Sequence, residues 1–309
     1  MFFQNMLIAA EQVAILYIMA AIGVIADKAG VFIESTARKC TDLLFTVITP
    51  AKILQSFFTL EYSISALKGL FISIGGGILM HLVVGAVMVP LFNKNAPEKT
   101  SVYKFAAMFG NCGYMGLPLV DAVVGKEGVF YMSAIIISFQ IFNFTYGVWV
   151  MNKGRENGAK IDIKKIIINP GVLPVFVGLP VFMLSIKVPG IILTPVSAIS
   201  GMNSPLAMLM FGTYISNTDF RTVFRDKKIP FVALFKLILM PLAMLAALKL
   251  FGIGGALGTT LLIASATPSA NNTIMFAAKY ERDTSLASQT VAIVSLLSII
   301  TLPIMIALY

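Results

Sequence analysis

Long apolar stretches recur along the whole chain, and short segments that carry charged residues separate them. A helix needs about 20 apolar residues to cross a bilayer, and each stretch is close to that length. We therefore expect an all-α membrane protein with ten transmembrane helices. The predicted spans cover approximately residues 7–26, 39–58, 69–92, 103–122, 128–151, 169–186, 194–216, 230–250, 256–279 and 286–308.

Composition supports a membrane protein and narrows the chemistry. Hydrophobic residues make up 58% of the 309 residues and charged residues 12%, whereas soluble domains have about a quarter of their residues charged. The one histidine and two cysteines are too few for a bis-histidine haem, a zinc site or an iron–sulfur cluster. We expect no cofactor and no metal site. The first residues hold no basic side chain, so we do not expect a cleavable signal peptide.

The basic residues alternate from one predicted connection to the next. Most of the 23 lysines and arginines fall in the odd-numbered connections, and the longest of these, 152–168, holds five. The positive-inside rule places those connections in the cytoplasm and both termini outside. The net charge of +9 then reflects topology in a cell membrane. We expect lipid around the chain and no nucleic acid partner.

Prolines indicate an internal repeat. Three fall in the second, third and fourth predicted spans, and three with similar spacing fall in the seventh, eighth and ninth: Pro50, Pro90, Pro118, Pro205, Pro241 and Pro268. The chain then divides into a first five-helix repeat (1–151), a basic cytoplasmic loop (152–168) and a second repeat (169–309). Since five is odd, the second repeat must be inverted. Inverted repeats are typical of secondary transporters, whose sites form at mid-membrane from broken helices.

Two predicted spans contain residues that interrupt helices. Residues 109–118 combine three glycines, Asn111 and Pro118, and residues 265–273 combine Pro268 with two asparagines. We predict that Thr267 caps a new half-helix with Pro268 at its first position, and that Pro118 starts the matching one. Half-helix N-termini favour a carboxylate, and carbonyl ends favour a cation. The alternative is two proline kinks whose asparagines only bond neighbouring helices.

The fifth predicted span supplies a further polar face. Gln140 and Asn143 are three residues apart, and Gly147 continues the same helical face. These side chains either line the substrate path or bond neighbouring helices. The predicted substrate-binding residues are Asn111, Gly113, Gly116, Pro118, Gln140, Asn143, Thr267, Pro268, Asn271 and Asn272.

Four further residues are candidates for a charge or ion role. Lys52 is either a counter-charge for an anion or extends to the outer membrane face, and His81 either relays protons or packs. Gln289 and Ser298 in the last span are candidates to reach the site. Lys236 is expected to extend to the cytoplasmic face. Because no carboxylate is clearly central, a sodium site built on one is not expected, and coupling to H+ or Na+ stays open.

Several motifs resemble the auxin efflux carrier family in its short bacterial form, within the bile/arsenite/riboflavin transporter superfamily. They are Asn-Cys-Gly-Tyr-Met-Gly-Leu-Pro at 111–118, Phe-Tyr at 130–131, Asn-Phe-Thr-Tyr-Gly at 143–147 and Asn-Pro at 169–170. The resemblance implies two inverted five-helix repeats whose helices four and nine cross at Pro118 and Pro268. It also implies a scaffold of helices 1, 2, 6 and 7 beside a transport domain of helices 3–5 and 8–10.

The resemblance also suggests a function. It implies a homodimeric secondary transporter that moves a small organic anion, such as malate, malonate or an auxin-like acid, by an elevator mechanism. Tyr146 stands where tryptophan is common in the family, which leaves the substrate open. A membrane sensor, a channel on the same fold and a sodium-coupled carrier of the bile-acid type remain alternatives. An enzyme is not expected, because no predicted span holds the pair of aspartates of a membrane aspartyl protease.

Overall fold

The computed structural model describes residues 2–92, 97–153, 163–217, 226 and 228–309, and within these ranges the chain is helical, with no strand. The helices follow the order of the predicted spans, and one helix or several consecutive helical elements overlap each span. They are α1 (Phe2–Lys28), α2 (Glu34–Leu43), α3 (Thr49–Thr59), α4 (Ile64–Leu91), α5 (Pro97–Met108), α6 (Leu117–Val123), α7 (Lys126–Phe142), α8 (Val148–Asn152), α9 (Ile163–Ile167), α10 (Leu173–Met183), α11 (Gly190–Gly201), α12 (Asn203–Ser216), α13 (Lys228–Leu234), α14 (Met240–Phe251), α15 (Gly255–Ala266), α16 (Asn272–Lys279) and α17 (Thr284–Ala307).

Several helical segments are long and apolar enough to cross a bilayer. Among the described residues these are Ile64–Met88, Lys126–Asn152, Gly190–Ser216, Lys228–Phe251 and Thr284–Ala307, and shorter apolar helices include Cys112–Val123, Leu173–Met183 and Gly255–Ala266. Large apolar side chains cover much of the outer surface; Ile191, for example, is 86% exposed. Such a surface suits lipid rather than water. The prediction of an all-helical membrane protein is confirmed at this level.

Prolines reshape several of these segments. Within the described residues, π-helical turns occupy Leu44–Ile48, Cys112–Gly116, Asn143–Gly147 and Phe235–Leu239. Three of them lead directly into a helix whose second residue is proline, namely Pro50, Pro118 or Pro241. Proline has no amide hydrogen and its ring crowds the carbonyl four residues earlier, so the preceding turn widens. A wider turn also changes the directions in which the side chains around it point.

The first helical group comprises α1, α2, α3, α10, α11 and α12. Within it, α1 packs along α12, and α3 packs against α10 and α11. The α1–α12 contact is very close: a Cβ on Gly23 would lie 2.2 Å from the Leu209 carbonyl oxygen, and one on Gly212 would lie 1.9 Å from that of Ala20. Small residues allow this approach between membrane helices, so these glycines hold the first group together.

The second helical group comprises α4–α8 and α13–α17. Here α4 and α15 both pack against α7, and α17 packs against α15 and α16. The two groups meet along α3 and α7 and along α1 and α17. Rings pack where α7 meets α3 and α10: the Phe130 centroid lies 4.6 Å from that of Phe57 and 4.8 Å from that of Phe182. This part of the boundary is therefore apolar.

Candidate functional site

Two chain breaks meet inside the second helical group. One follows the end of α5 at Met108, the other follows the end of α15 at Ala266, and Gly110 pairs with Ser269 in an antiparallel bridge. The Asn111 amide donates to the Pro268 carbonyl at 2.7 Å, and the Ala270 amide donates to the Phe109 carbonyl at 2.8 Å. Broken helices leave backbone groups that must be satisfied within a membrane. Here the two breaks satisfy each other.

The first break ends in a π-helical turn. Asn111 precedes the turn, and its Oδ1 accepts a hydrogen bond from the Tyr114 amide at 3.2 Å. Its carbonyl oxygen accepts from the Met115 and Gly116 amides. Helical structure thus resumes at Cys112, ahead of Pro118, which is the second residue of α6. The expectation that Pro118 starts the half-helix is corrected, because Asn111 caps it earlier.

The second break has a different form. α16 begins at Asn272, and Asn271 occupies the capping position without a side-chain capping bond. Thr267 Oγ1 instead donates backward to the Ala264 carbonyl at 2.7 Å. The prediction that Thr267 caps a half-helix with Pro268 at its first position is therefore wrong. The Pro268 carbonyl is bonded to the Asn111 amide, and this pairing keeps the segment extended.

A cavity lies against both breaks. Five predicted residues line it, Asn111, Gly113, Gln140, Asn271 and Asn272, together with Phe45, Thr49, Gly110, Cys112, Tyr114, Ile136, Phe139, Gly171 and Ala270. The space among these residues, counted together with its opening to the outside, is about 440 Å³. Four of its side chains are amides, which donate and accept hydrogen bonds without a buried charge, and apolar side chains form much of the remaining wall. This mixture is typical of small-molecule sites.

The cavity lies between the two helical groups. Phe45 and Thr49 come from the first group, and the two breaks and α7 come from the second. Asn203 Nδ2 donates to Thr49 Oγ1 at 3.1 Å, and this hydrogen bond holds the Thr49 hydroxyl in place. A displacement of one group relative to the other would therefore change the walls of the cavity.

The other predicted binding residues do not line the cavity wall. Gly116 is packed, since a Cβ there would lie 3.3 Å from the Thr267 methyl carbon. Thr267 and Pro268 belong to the second break, and Pro118 lies in α6, beyond the residues where the two breaks pair. Asn143 is 1% exposed, and its Oδ1, like Gln140 Oε1, has no hydrogen-bond partner among the described residues. Buried acceptors are seldom left unsatisfied, so this pair indicates room for a donor.

Lys52 has a specific partner. Its Nζ lies 2.6 Å from Asp121 Oδ2, so α3 of the first helical group is joined to α6 of the second. Neither of the two roles expected for Lys52, a counter-charge for an anion or an extension to the membrane face, describes this ion pair. The partner was hard to foresee because Asp121 is 69 positions away in the sequence.

The remaining charge and ion candidates have other contacts. His81 is fully buried, with Nδ1 2.7 Å from the Gly77 carbonyl and its ring stacked on Phe142 at 4.9 Å. Ser298 Oγ donates to the Ser295 carbonyl, and Gln289 Nε2 donates to Ser285. The three residues lie outside the cavity lining, and the contacts of His81 fit the packing alternative.

Lys236 was expected to extend to the cytoplasmic face, and this expectation is wrong. The residue lies in the π-helical turn Phe235–Leu239 and is 1% exposed. A Cβ on Gly110 would lie 3.1 Å from Lys236 Nζ and 2.3 Å from Thr267 Oγ1. The ammonium group therefore lies next to Gly110, where the two breaks pair. The sequence signal for this position was Pro241, which marks the turn that redirects the lysine.

Comparisons with known proteins extend over nearly the whole chain. A family model described as membrane transport protein matches residues 8–306. An uncharacterized transporter of Methanocaldococcus jannaschii is 22% identical over 308 residues, which cover 94% of this chain and 96% of that protein. A Rhizobium meliloti protein named "Putative malonate transporter" is 25% identical over 240 residues, 74% of this chain and 73% of its own length.

Proposed function

The chain belongs to the membrane transport protein family, which is the auxin efflux carrier family of the sequence resemblance, and on this premise we propose that it is a secondary carrier for a small organic anion. The family and both relatives are transporters, not enzymes. The observation that carries the proposal is the cavity against two paired chain breaks. Such breaks place helix ends inside the membrane, and helix ends of this kind bind small ions and substrates in transporters.

The proposed substrate class is a small carboxylate such as malate, malonate or an auxin-like acid. Helical structure starts at Cys112 and at Asn272, and both residues line the cavity. Helix N-termini carry partial positive charge, which favours carboxylates. Asn271, without a side-chain capping bond, has an amide available for a ligand. The name of the Rhizobium relative is consistent with this class.

We propose two inverted five-helix repeats, residues 1–151 and 169–309, with both termini outside and the basic loop 152–168 in the cytoplasm. Part of this loop, 154–162, lies outside the described residues. The two breaks lie in the fourth and ninth predicted spans, 103–122 and 256–279. These spans occupy matching places in the two halves, which supports the repeat. The proposed scaffold is the first helical group, and the proposed transport domain is the second.

An elevator movement is the proposed mechanism. The second helical group would carry the cavity along the first, with a homodimer formed through the first group. The apolar contacts between Phe57 and Phe130 are compatible with sliding, whereas the Lys52–Asp121 ion pair must break or exchange partners. Coupling to H+ or Na+ belongs to the same proposal. The described residues include no group of three His, Cys, Asp or Glu that is suited to a metal ion.

Counterflow tests this proposal. Purified protein is reconstituted into vesicles preloaded with unlabelled malonate, and uptake of labelled malonate is followed with and without Na+ and at two pH values. A carrier produces transient accumulation above equilibrium. Flux without saturation or counterflow would instead indicate a channel, and malonate binding without flux would indicate a sensor. Absence of binding and flux for malonate, malate and indole-3-acetate would refute the substrate class.

A further inference from the structure

Lys236 is an isolated buried cation. It is 1% exposed, and within the described residues no carboxylate lies within 4.0 Å of its Nζ; the ion pairs there are Arg38–Glu34 and Lys52–Asp121. Removing an ammonium group from water is costly unless an opposite charge compensates. An apolar side chain could fill the same space without this cost, so packing alone does not explain a lysine at this position. The buried ammonium therefore needs a negative counter-charge, and the described part of the chain does not supply one.

Neutral polar groups, the Thr267 hydroxyl and the Ala264 carbonyl, lie on the same side of Gly110 as the ammonium. Three polar atoms converge on the point that a Gly110 side chain would occupy: Thr267 Oγ1 at 2.3 Å, Lys236 Nζ at 3.1 Å and the Ala264 carbonyl oxygen at 3.5 Å. Ala264 belongs to the last turn of α15, whose carbonyl end carries partial negative charge. This end of the helix stabilises the ammonium in part, but it leaves a net positive charge at the crossing.

Gly110 connects this charge to the cavity. It lines the cavity and also lies against Lys236 Nζ. Because glycine has no side chain, the ammonium lies one residue behind the cavity wall. Two charges that are separated by the width of one residue interact strongly where water is excluded. An anion in the cavity would therefore experience the field of Lys236 even without direct contact.

We propose that Lys236 is the fixed positive charge that selects carboxylates in the cavity, acting across Gly110 as a specificity-determining residue. The inference rests on the proposed carrier function and deepens it, because it assigns the preference for anions to one ammonium in addition to the helix ends. Carboxylates bind better than their neutral amide analogues for this reason. Malonate and malonamide, which are similar in size and differ in charge, form the matched pair of ligands.

The test compares Lys236→Met, Lys236→Gln and Lys236→Arg with the matched control Lys249→Met. Lys249 is an exposed lysine on the adjoining α14. Malonate and malonamide affinities are measured by calorimetry on detergent-purified protein, and thermal midpoints report folding. We expect Lys236→Met and Lys236→Gln to weaken malonate at least about tenfold and to leave malonamide unchanged. Lys236→Arg should keep most of the malonate affinity, and Lys249→Met all of it.

The outcomes separate the two levels of the proposal. If wild-type protein shows malonate counterflow and Lys236→Met has unchanged malonate affinity, the role of Lys236 is refuted while the carrier function stands. Equal losses for malonate and malonamide would also refute it, because a general change of cavity shape affects both ligands. If the wild-type protein binds no carboxylate, the proposed function and the role of Lys236 fail together. Met replaces a buried charge with an apolar side chain, which favours folding, and Lys236→Gln provides a second neutral variant.

Discussion

The two chain breaks differ in how they use their asparagines. Asn111 at the first break bonds the Tyr114 amide through Oδ1, so its side chain is part of the fold. Asn271 at the second break occupies the capping position and makes no side-chain capping bond. The first break is thus closed by its own residues, and the second retains capacity for a ligand. Two breaks that pair with each other therefore need not perform the same task.

The bridge between the breaks is the feature whose loss should have the largest effect. In Gly110→Val, the new side chain would collide with Thr267 Oγ1, 2.3 Å from the Cβ position, and with Lys236 Nζ. Both breaks must then separate, and we expect a loss of stability of several kcal/mol together with loss of transport. Thermal midpoints and malonate counterflow measure the two effects.

Gly113→Ala is the matched control for this prediction. Gly113 belongs to the same break and lines the same cavity, but a Cβ there would have no atom within 4 Å. Its thermal midpoint should stay within error of wild type. Equal destabilisation by the two variants would show that the break tolerates no added side chain, and the pairing at Gly110 would lose its special importance.

Asparagine substitutions separate stability from binding. Asn111→Ala removes a capping bond, and caps contribute about 0.5–2 kcal/mol, so we expect a lower thermal midpoint as well as weaker malonate binding. Asn271→Ala removes no capping bond and should weaken binding with little change in the midpoint. Midpoints are recorded with and without malonate, since a ligand of the folded state raises them. An equal fall in the midpoint of both ligand-free variants would remove the distinction between the breaks.

The smallest expected effect concerns the ion pair that anchors the first break. Asp121 on α6 bonds Lys52 on α3, whereas among the described residues no ion pair anchors α16 after the second break. The side chains of Lys52 and Asp121 are 10% and 28% exposed. Asparagine keeps a side-chain oxygen that accepts from the Lys52 ammonium, and an ion pair that water reaches contributes about 0–1 kcal/mol. Asp121→Asn should therefore shift the thermal midpoint slightly.

Transport rate is the more informative measurement for this pair, because it spans the two helical groups. The exchange of both residues, Lys52→Asp with Asp121→Lys, should restore a rate that either single change alters. A rate that none of the three variants alters would mean that the two groups move without involving this contact.

Hydropathy and helix-breaking residues predicted much of this molecule. The runs of apolar residues gave the helical segments in order, and the Gly-Asn-Pro clusters at 109–118 and 265–273 gave the places where two of them break. These signals are local. The length of an apolar run and the missing amide hydrogen of a proline can both be read from neighbouring residues in the sequence. The five predicted residues that line the cavity all belong to such clusters or to the neighbouring α7.

The errors arose where tertiary contacts decide the local structure. Pro268 stays extended because its carbonyl is bonded to Asn111, more than 150 positions earlier in the chain. Lys236 is buried in a π-helical turn ahead of Pro241, whereas its closeness to the end of the predicted span indicates an extension to the cytoplasmic face. Each required knowledge of the partner segment, which the sequence does not show locally.

The paired backbone hydrogen bonds at Gly110 and Ser269 affect how fast two amide hydrogens exchange with solvent. The Asn111 and Ala270 amides each bond across the two breaks, so neither can exchange its hydrogen with solvent unless the breaks part. Opening of one therefore exposes the other, and their exchange rates should respond together to temperature and denaturant. Two amides from opposite halves of the chain thus share one lifetime and report a single opening event.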